Sequence, residues 1–314
     1  MTLRRLVAIV GPTATGKSSM ALELASTLGG EIVNADSRQV YRGMDIGTAK
    51  PSLEDRRRVR HHLYDIADPA ESYSLALYVK HAREVLDSLW AKGSFAWLVG
   101  GSGQYIWALL EAWTVPEVAP DEAFRAKLRA EADDQGPRSL HRRLAEVDPV
   151  AAERIDANNV RRVIRALEVY HHTGMPISEW QQKGTPDFEY LLFGVDMPNA
   201  ELEPRIEQRV DAMFEAGLVD EVRGLLDAGL PPEAPAMSSI GYAEVARHLA
   251  GELSLEEARD ETIRATRRLV RRQRQWFRKD DKRIHWVRDA QDIELEANIF
   301  TGACTNVIRG ESRR

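Results

Sequence analysis

Gly11-Pro12-Thr13-Ala14-Thr15-Gly16-Lys17-Ser18 reads as a phosphate-gripping loop, and its surroundings decide the fold. It fits the pattern G-x-x-x-x-G-K-[ST]. The glycines let backbone N–H groups turn inward around phosphate oxygens, and the helix N-terminus adds a favourable dipole. Lys17 reaches the terminal phosphates, and the Ser18 hydroxyl is suited to Mg²⁺. The apolar run Leu6–Val10 precedes the loop, as a buried parallel strand would. Lys17 to Leu28 follows, with Met20, Ala21, Leu24 and Leu28 at helical spacing and Gly29-Gly30 as the stop. Strand, loop and helix are the context the motif requires. The pattern specifies a diphosphate but neither ATP nor hydrolysis.

Further along, Glu31–Ala35 reads as the next strand, with Asp36 at its carboxyl end, and residues 37–60 read as loop. Tyr73 to Trp90 has a helical pattern, Phe95–Val99 is another buried strand, and Gly100-Gly101-Ser102-Gly103 leads into a helix to about Trp113. This alternation predicts an α/β fold, a parallel sheet with helices on both faces. Residues 121–188 show helical periodicity up to about Gly184, with breaks at Gly136-Pro137, Asp148-Pro149 and Gly174-Met175-Pro176. They read as an all-helical insertion, leaving 1–120 and 189–314 as the core. Tyr190–Val195 returns to strand, further helices follow, and a short strand is expected near Ile284–Val287.

The chain has 314 residues and a net charge of −6, and the charge is unevenly spread. Between Arg259 and Arg288 stand twelve basic and four acidic residues, leaving the remainder strongly acidic. A basic segment on an acidic body is a footprint for a polyanion, and its plain alternative is a solvated Arg-rich helix. Cys304 is the only cysteine, so neither an internal disulfide nor an all-cysteine metal site is possible. No stretch approaches the roughly 18 apolar residues of a membrane helix, and no secretory h-region is seen. The expectation is a cytoplasmic protein without membrane contact.

In open α/β sheets, ligands sit outside the carboxyl ends of the strands. Asp36 should therefore face the same crevice as the loop, as a general base or a Mg²⁺ partner. Its alternative is a turn cap, since Asp36-Ser37 is also a turn signal. Ser102 could bring a hydroxyl to the same place, although a plain tight turn reads equally well there. His61-His62 and His171-His172 invite a metal reading, but adjacent histidines point to different sides and nothing completes a site.

The stretch Asp36-Ser37-Arg38-Gln39-Val40-Tyr41-Arg42-Gly43-Met44-Asp45-Ile46-Gly47-Thr48-Ala49-Lys50-Pro51, with Gly11–Ser18, resembles the tRNA dimethylallyltransferase family. So do His61-His62-Leu63, Asp68-Pro69, Arg165-Ala166-Leu167-Glu168-Val169-Tyr170, Gly241-Tyr242 and Arg271-Arg272-Gln273 with Trp276-Phe277. The resemblance runs from about residue 5 to about 288. It implies a P-loop NTPase-like sheet with a helical insertion. It also implies transfer of a dimethylallyl group from dimethylallyl diphosphate to N6 of the adenosine immediately 3′ of the anticodon, in tRNAs reading U-starting codons. Mg²⁺ is the implied cofactor, bound at Ser18, and a monomer is expected because one RNA supplies the partner surface.

The resemblance assigns catalysis to Asp36, Lys17, Ser18, Ser102 and Arg209, and the diphosphate to Gly11–Ser18. For Arg209 the residues alone favour a surface helix arginine. Contacts to the tRNA anticodon stem-loop map to Asp36, Ser37, Arg38, Gln39, Ser102 and Arg125. They continue at Arg161, Arg162, Arg165, the Ser238–Ala243 loop with Gly241 and Tyr242, and Arg271, Arg272, Arg274 and Arg278. Trp276 and Phe277 are expected as core anchors beside Ile263, Leu269 and Val270. Ser102 stands where many members carry Thr, and Ser238 or Ser239 and Ala243 stand where many carry basic residues. The C2H2 zinc module of some eukaryotic members is absent. Two other readings stay open: a small-molecule P-loop kinase or AMP isopentenyltransferase, and a non-catalytic RNA-binding protein.

Overall fold

A computed structural model describes residues 4–180 and 182–302 of the chain. Cys304 lies outside the described residues. Six strands form one sheet: β1 (Arg5–Val10), β2 (Glu31–Asn34), β3 (His61–His62), β4 (Ala96–Gly100), β5 (Glu189–Val195) and β6 (His285–Val287). Their order is β3-β2-β4-β1-β5-β6, and every neighbouring pair is parallel. β1 is central because Leu6 to Val10 are wholly buried, which suits a strand covered on both faces. Val7 and Ile9 pack with the Lys17–Leu28 and Ala290–Thr301 helices through Ala21, Leu24, Ile293 and Ala297. Leu6 and Ala8 point the other way and are equally buried.

Register places the site. Val10 is level with Gly100 on one side and Gly194 on the other. The chain therefore leaves β1, β4 and β5 along a common carboxyl edge, at Gly11, Gly101 and Asp196. β2 ends on the same edge, because Asn34 is level with Val99.

Two segments differ from the sequence expectation. Residues 37–60, read as loop, include a Leu53–Arg58 helix, nucleated by a capping box between Ser52 and Asp55. His61-His62 forms the edge strand β3. There His62 Nε2 meets Glu31 at 2.6 Å and His61 Nδ1 meets the Val59 carbonyl at 2.7 Å, so both rings serve the sheet edge. Among the described residues, no group of three or more His, Cys, Asp or Glu side chains could hold a metal.

The chain divides into two compact units. Of the described residues, the first takes those up to Ser74, Tyr78–Ile106 and those from Asp187 to Gly302, and so contains the sheet. Its later part consists mainly of the helices Asn199–Glu215, Leu218–Asp227, Tyr242–Leu249 and Leu255–Trp276. The second unit takes Leu75–Leu77 and Trp107–Pro186. Its helices include Glu122–Gln135, Pro137–Val147, Pro149–Arg154 and Val160–Thr173, around Leu128, Leu140, Leu144 and Val163. Asp121 and Asp148 cap two of these helices, and Pro at the first helical position accompanies two starts. Among the described residues, no helix is long and apolar enough to cross a membrane.

Candidate active site

The loop after β1 takes its shape from positive-φ residues. Gly11 has φ +137°, and a Cβ there would fall 2.0 Å from the Val195 carbonyl oxygen, so only glycine lets the loop lie against the end of β5. Gly16 adopts a left-handed conformation and opens the Lys17–Leu28 helix with its backbone N–H groups directed at the loop. The Thr15 hydroxyl donates to the Pro12 carbonyl at 2.9 Å, and Lys17 Nζ donates to the same oxygen. Ser18 is exposed on the first turn.

Lys17 is 8% exposed, and burial, then the nearby Arg209 charge, lower its pKa from 10.5 to about 7 against the opposing pull of Asp36 and Asp196. Arg209 projects from the Asn199–Glu215 helix and forms no hydrogen bond or ion pair among the described residues. A desolvated lysine beside an unpaired arginine concentrates positive charge in a low-dielectric place, which suits an anion. Arg209 also lines a cavity of about 630 Å³, whose wall includes Ile46, Lys50, Leu53, Ala212 and Met213. None of residues 11–18 lines that cavity.

Asp36 is fixed by its neighbours. The buried Asn34 side chain accepts the Asp36 N–H at 2.9 Å and donates to the Asp36 and Leu63 carbonyls. One Asp36 carboxylate oxygen accepts the Arg38 N–H at 2.8 Å. Asp36 is therefore a turn cap with its other oxygen left over, so both sequence readings have a place. Ser102 joins this corner: its N–H donates to the Ala35 carbonyl at 3.1 Å, and its hydroxyl oxygen accepts the Ser37 N–H at 2.9 Å.

Several residues expected at an RNA surface are instead engaged inside the protein. Gln39 is buried and donates to the carbonyls of Thr48 and Ala49. The Tyr242 ring is fully buried against Gly47, where a Cβ would fall 2.4 Å from it, and its hydroxyl donates to Glu221. Glu221 also accepts the N–H groups of Asp45 and Ile46 at 2.9 Å. Both side chains thus hold the Asp36–Pro51 segment together and are hidden from a partner. Lys50 does the same, with its ammonium buried among the Tyr41 carbonyl, Asp45 and Asp65. Ser238 is exposed at the end of a short 3-10 turn, and Arg38 donates to the Pro235 carbonyl in that turn.

The arginines of the Leu255–Trp276 helix fall into two sets. Arg259, Arg267 and Arg274 pair with Asp211, with Glu203 and Glu207, and with Asp196. Arg274 grips Asp196, whose side chain is 7% exposed, and also donates to the Met197 carbonyl, so its guanidinium is occupied. Arg264, Arg268, Arg271 and Arg272 are exposed and form no ion pair among the described residues. Among the described residues, Arg278 forms an ion pair with exposed Asp280. Phe277 is buried as expected, but Trp276 is 39% exposed. It packs over Gly103, where a Cβ would fall 2.2 Å from its ring, because the helix ends beside the glycine-rich loop.

In the helical unit, Arg125 and Arg165 share the fully buried Glu168, at 2.7 and 2.6 Å. Burial pushes that carboxyl up, but hydrogen bonds from Arg125, the Asp121 amide and Arg165 outweigh it and hold the pKa low. Arg161 and Arg162 are exposed on the Val160–Thr173 helix, and their side chains form no ion pair among the described residues. Sequence reasoning missed Asn34, Lys50, Asp196, Glu221 and Gln273. For Asp196 a signal existed, since it follows the last residue of a strand on the carboxyl edge.

The family model for IPP transferase matches residues 39–280, and that for isopentenyl transferase matches 4–66. A tRNA dimethylallyltransferase of Thermomicrobium roseum is 48% identical over 281 residues, covering 90% of this chain and 85% of the relative. The chain belongs to the tRNA dimethylallyltransferase family. Another relative of that name, from Geobacter metallireducens, is 50% identical over 286 residues, covering 90% and 92% of the two chains. The structure is similar to a full-length tRNA isopentenylpyrophosphate transferase of Bacillus halodurans, with TM-score 0.69 and 38% identity, covering 99% and 100% of the two chains. Among the described residues, Arg209 forms no ion pair, Lys17 is buried, and one Asp36 carboxylate oxygen accepts the Arg38 N–H.

Proposed function

We propose that the chain transfers a dimethylallyl group from dimethylallyl diphosphate to N6 of the adenosine 3′-adjacent to the anticodon. The substrates are tRNAs reading U-starting codons, and the products are N6-isopentenyladenosine and diphosphate. Family membership over nine-tenths of the chain, together with an intact phosphate loop whose Lys17 feels the Asp36 charge, carries this reading. A bond forms between adenine N6 and allylic C1. The C1–O bond breaks, and the diphosphate leaves with its electron pair. Loop amides, Lys17 and Arg209 stabilise the leaving charge. The N6 proton passes to Asp36, a general-base role worth typically 10²–10⁴-fold.

Mg²⁺ fits the oxygens present. It takes few protein ligands and completes its shell with phosphate and water, so the Ser18 hydroxyl with the diphosphate suffices. When bound, the ion supplies charge neutralisation to the leaving group. Grip on the anticodon stem-loop is assigned to the unpaired arginines: Arg271 and Arg272 on the first unit, Arg161 and Arg162 on the helical one. The base must leave its stack to reach the crevice. A monomer in the cytoplasm, where the tRNA is, accompanies this reading.

The test is incubation of the purified chain with Mg²⁺, dimethylallyl diphosphate and unmodified tRNA of this class. Prenylated adenosine is the expected product. Its absence, with phosphate transfer from ATP instead, would favour the kinase reading and sink this one.

A further inference from the structure

Gln273 is 5% exposed, yet it is polar, and on the Leu255–Trp276 helix it stands beside Arg272 and Arg274. Its carboxamide oxygen accepts the Thr13 N–H at 2.8 Å, and its carboxamide nitrogen donates to the Gly101 carbonyl at 3.1 Å. Thr13 lies in the loop that grips the diphosphate. Gly101 lies in the loop whose next residue, Ser102, tethers Ser37 beside Asp36. One planar group therefore bridges the phosphate loop and the loop after β4.

The fit is close. A Cβ on Gly101 would fall 2.1 Å from the Gln273 nitrogen and 3.2 Å from the Gly11 carbonyl oxygen. The bridge also occupies the Thr13 amide, so that N–H is engaged within the protein. A buried carboxamide costs stability unless its polar atoms are bonded, and here the oxygen and the nitrogen both are. Trp276, three residues on and so on the same face, covers Gly103 of the second loop.

We propose that Gln273 is a positioning residue that fixes the spacing between the diphosphate loop and the Asp36–Ser102 corner. This rests on the prenyl-transfer reading. Misplacing reactants by about 1 Å can lower a rate by the order of 10²-fold.

Gln273→Met in the full chain keeps the volume and removes both hydrogen bonds. The expected result is a kcat lower by about 10- to 100-fold and a raised KM for dimethylallyl diphosphate, with the KM for tRNA unchanged. Weakened binding of inorganic pyrophosphate, read by calorimetry, should accompany it. Gly101→Ala displaces the same carboxamide from the other side, so the double variant should be little worse than either single one. A kcat and donor KM within about twofold of the parent would overturn the proposal, as would a loss of activity with both KM values unchanged. If Gln273→Met does not fold, Gln273→Glu, which keeps the acceptor for Thr13, takes its place, and failure of both to fold also overturns it. If the parent chain transfers no prenyl group, the functional reading fails on its own. Pyrophosphate affinity equal in parent and Gln273→Met then overturns the bridge separately.

Discussion

The Ser102 hydroxyl oxygen accepts the Ser37 N–H at 2.9 Å, joining residues 65 apart in sequence. This bond ties the turn that carries Asp36 to the loop that follows β4. Ser102→Ala should lower kcat by about 10-fold or more by loosening that turn. Ser102→Thr, which retains the oxygen, should stay within a few-fold of the parent. Equal losses in the two variants, measured as steady-state prenyl transfer, would show that the hydroxyl has no such role.

Asp36 has two functions that one substitution can separate. Asp36→Asn keeps an oxygen to accept the Arg38 N–H and loses the carboxylate charge. Transfer should fall by about 10²–10⁴-fold. Affinity for tRNA, measured by filter binding, should remain nearly intact. A collapse of affinity instead would make Asp36 mainly a recognition residue.

Lys17 gives a pH signature. Burial, then Arg209, lower its pKa to about 7 against the pull of Asp36 and Asp196. The free protein should therefore lose its Lys17 charge, and affinity for pyrophosphate, as pH rises through about 7. Binding above that pH should take up a proton, visible in calorimetry with buffers of different ionisation enthalpy. The stability sign is opposite to that of a paired lysine. The unfolded chain holds the Lys17 proton up to its ordinary pKa of 10.5, so the folded state is penalised fully below about 7 and progressively less between 7 and 10.5. Lys17→Met should raise the Tm most at or below neutral pH, with the gain fading toward pH 10.5. A gain that grows with pH would contradict this.

The two sets of arginines on the Leu255–Trp276 helix should respond differently. Removing Arg271 or Arg272 should weaken tRNA binding and make the salt dependence of affinity shallower by about 0.7–0.9 in slope per contact. Removing Arg274 leaves Asp196, 7% exposed, without its closest ion-pair partner, so its main effect should be on stability. Salt titrations and urea unfolding on the same variants separate the sets. A flat salt response in the parent chain would argue against this helix as the RNA surface.

Much of the frame was legible because it is written in local pattern. The Lys17–Leu28 helix has the expected bounds, and β1 and β5 differ from expectation by one residue, since apolar runs and glycine stops are local signals. The Leu53–Arg58 helix was overlooked although Ser52 and Asp55 announce it. β3 has two residues, too few for any periodicity. The resemblance located the Asp36–Pro51 segment but not which of its side chains face inward. Gln39 and Tyr242 carry polar atoms, and nothing local distinguishes a polar atom that meets a partner from one that meets the protein's own backbone. The Gln273–Thr13 bond spans 260 residues and leaves no trace in either segment.

The contact between Gly47 and Tyr242 bears on how this lineage can change. A side chain at position 47 would collide with the ring, and a smaller residue at 242 would leave Glu221 without its hydroxyl donor. Neither position can drift alone. Two segments almost 200 residues apart are inherited as one unit, and a chimera that takes Asp36–Pro51 from one relative should fold only if the Gly241-Tyr242 turn comes from a relative with a matching pair.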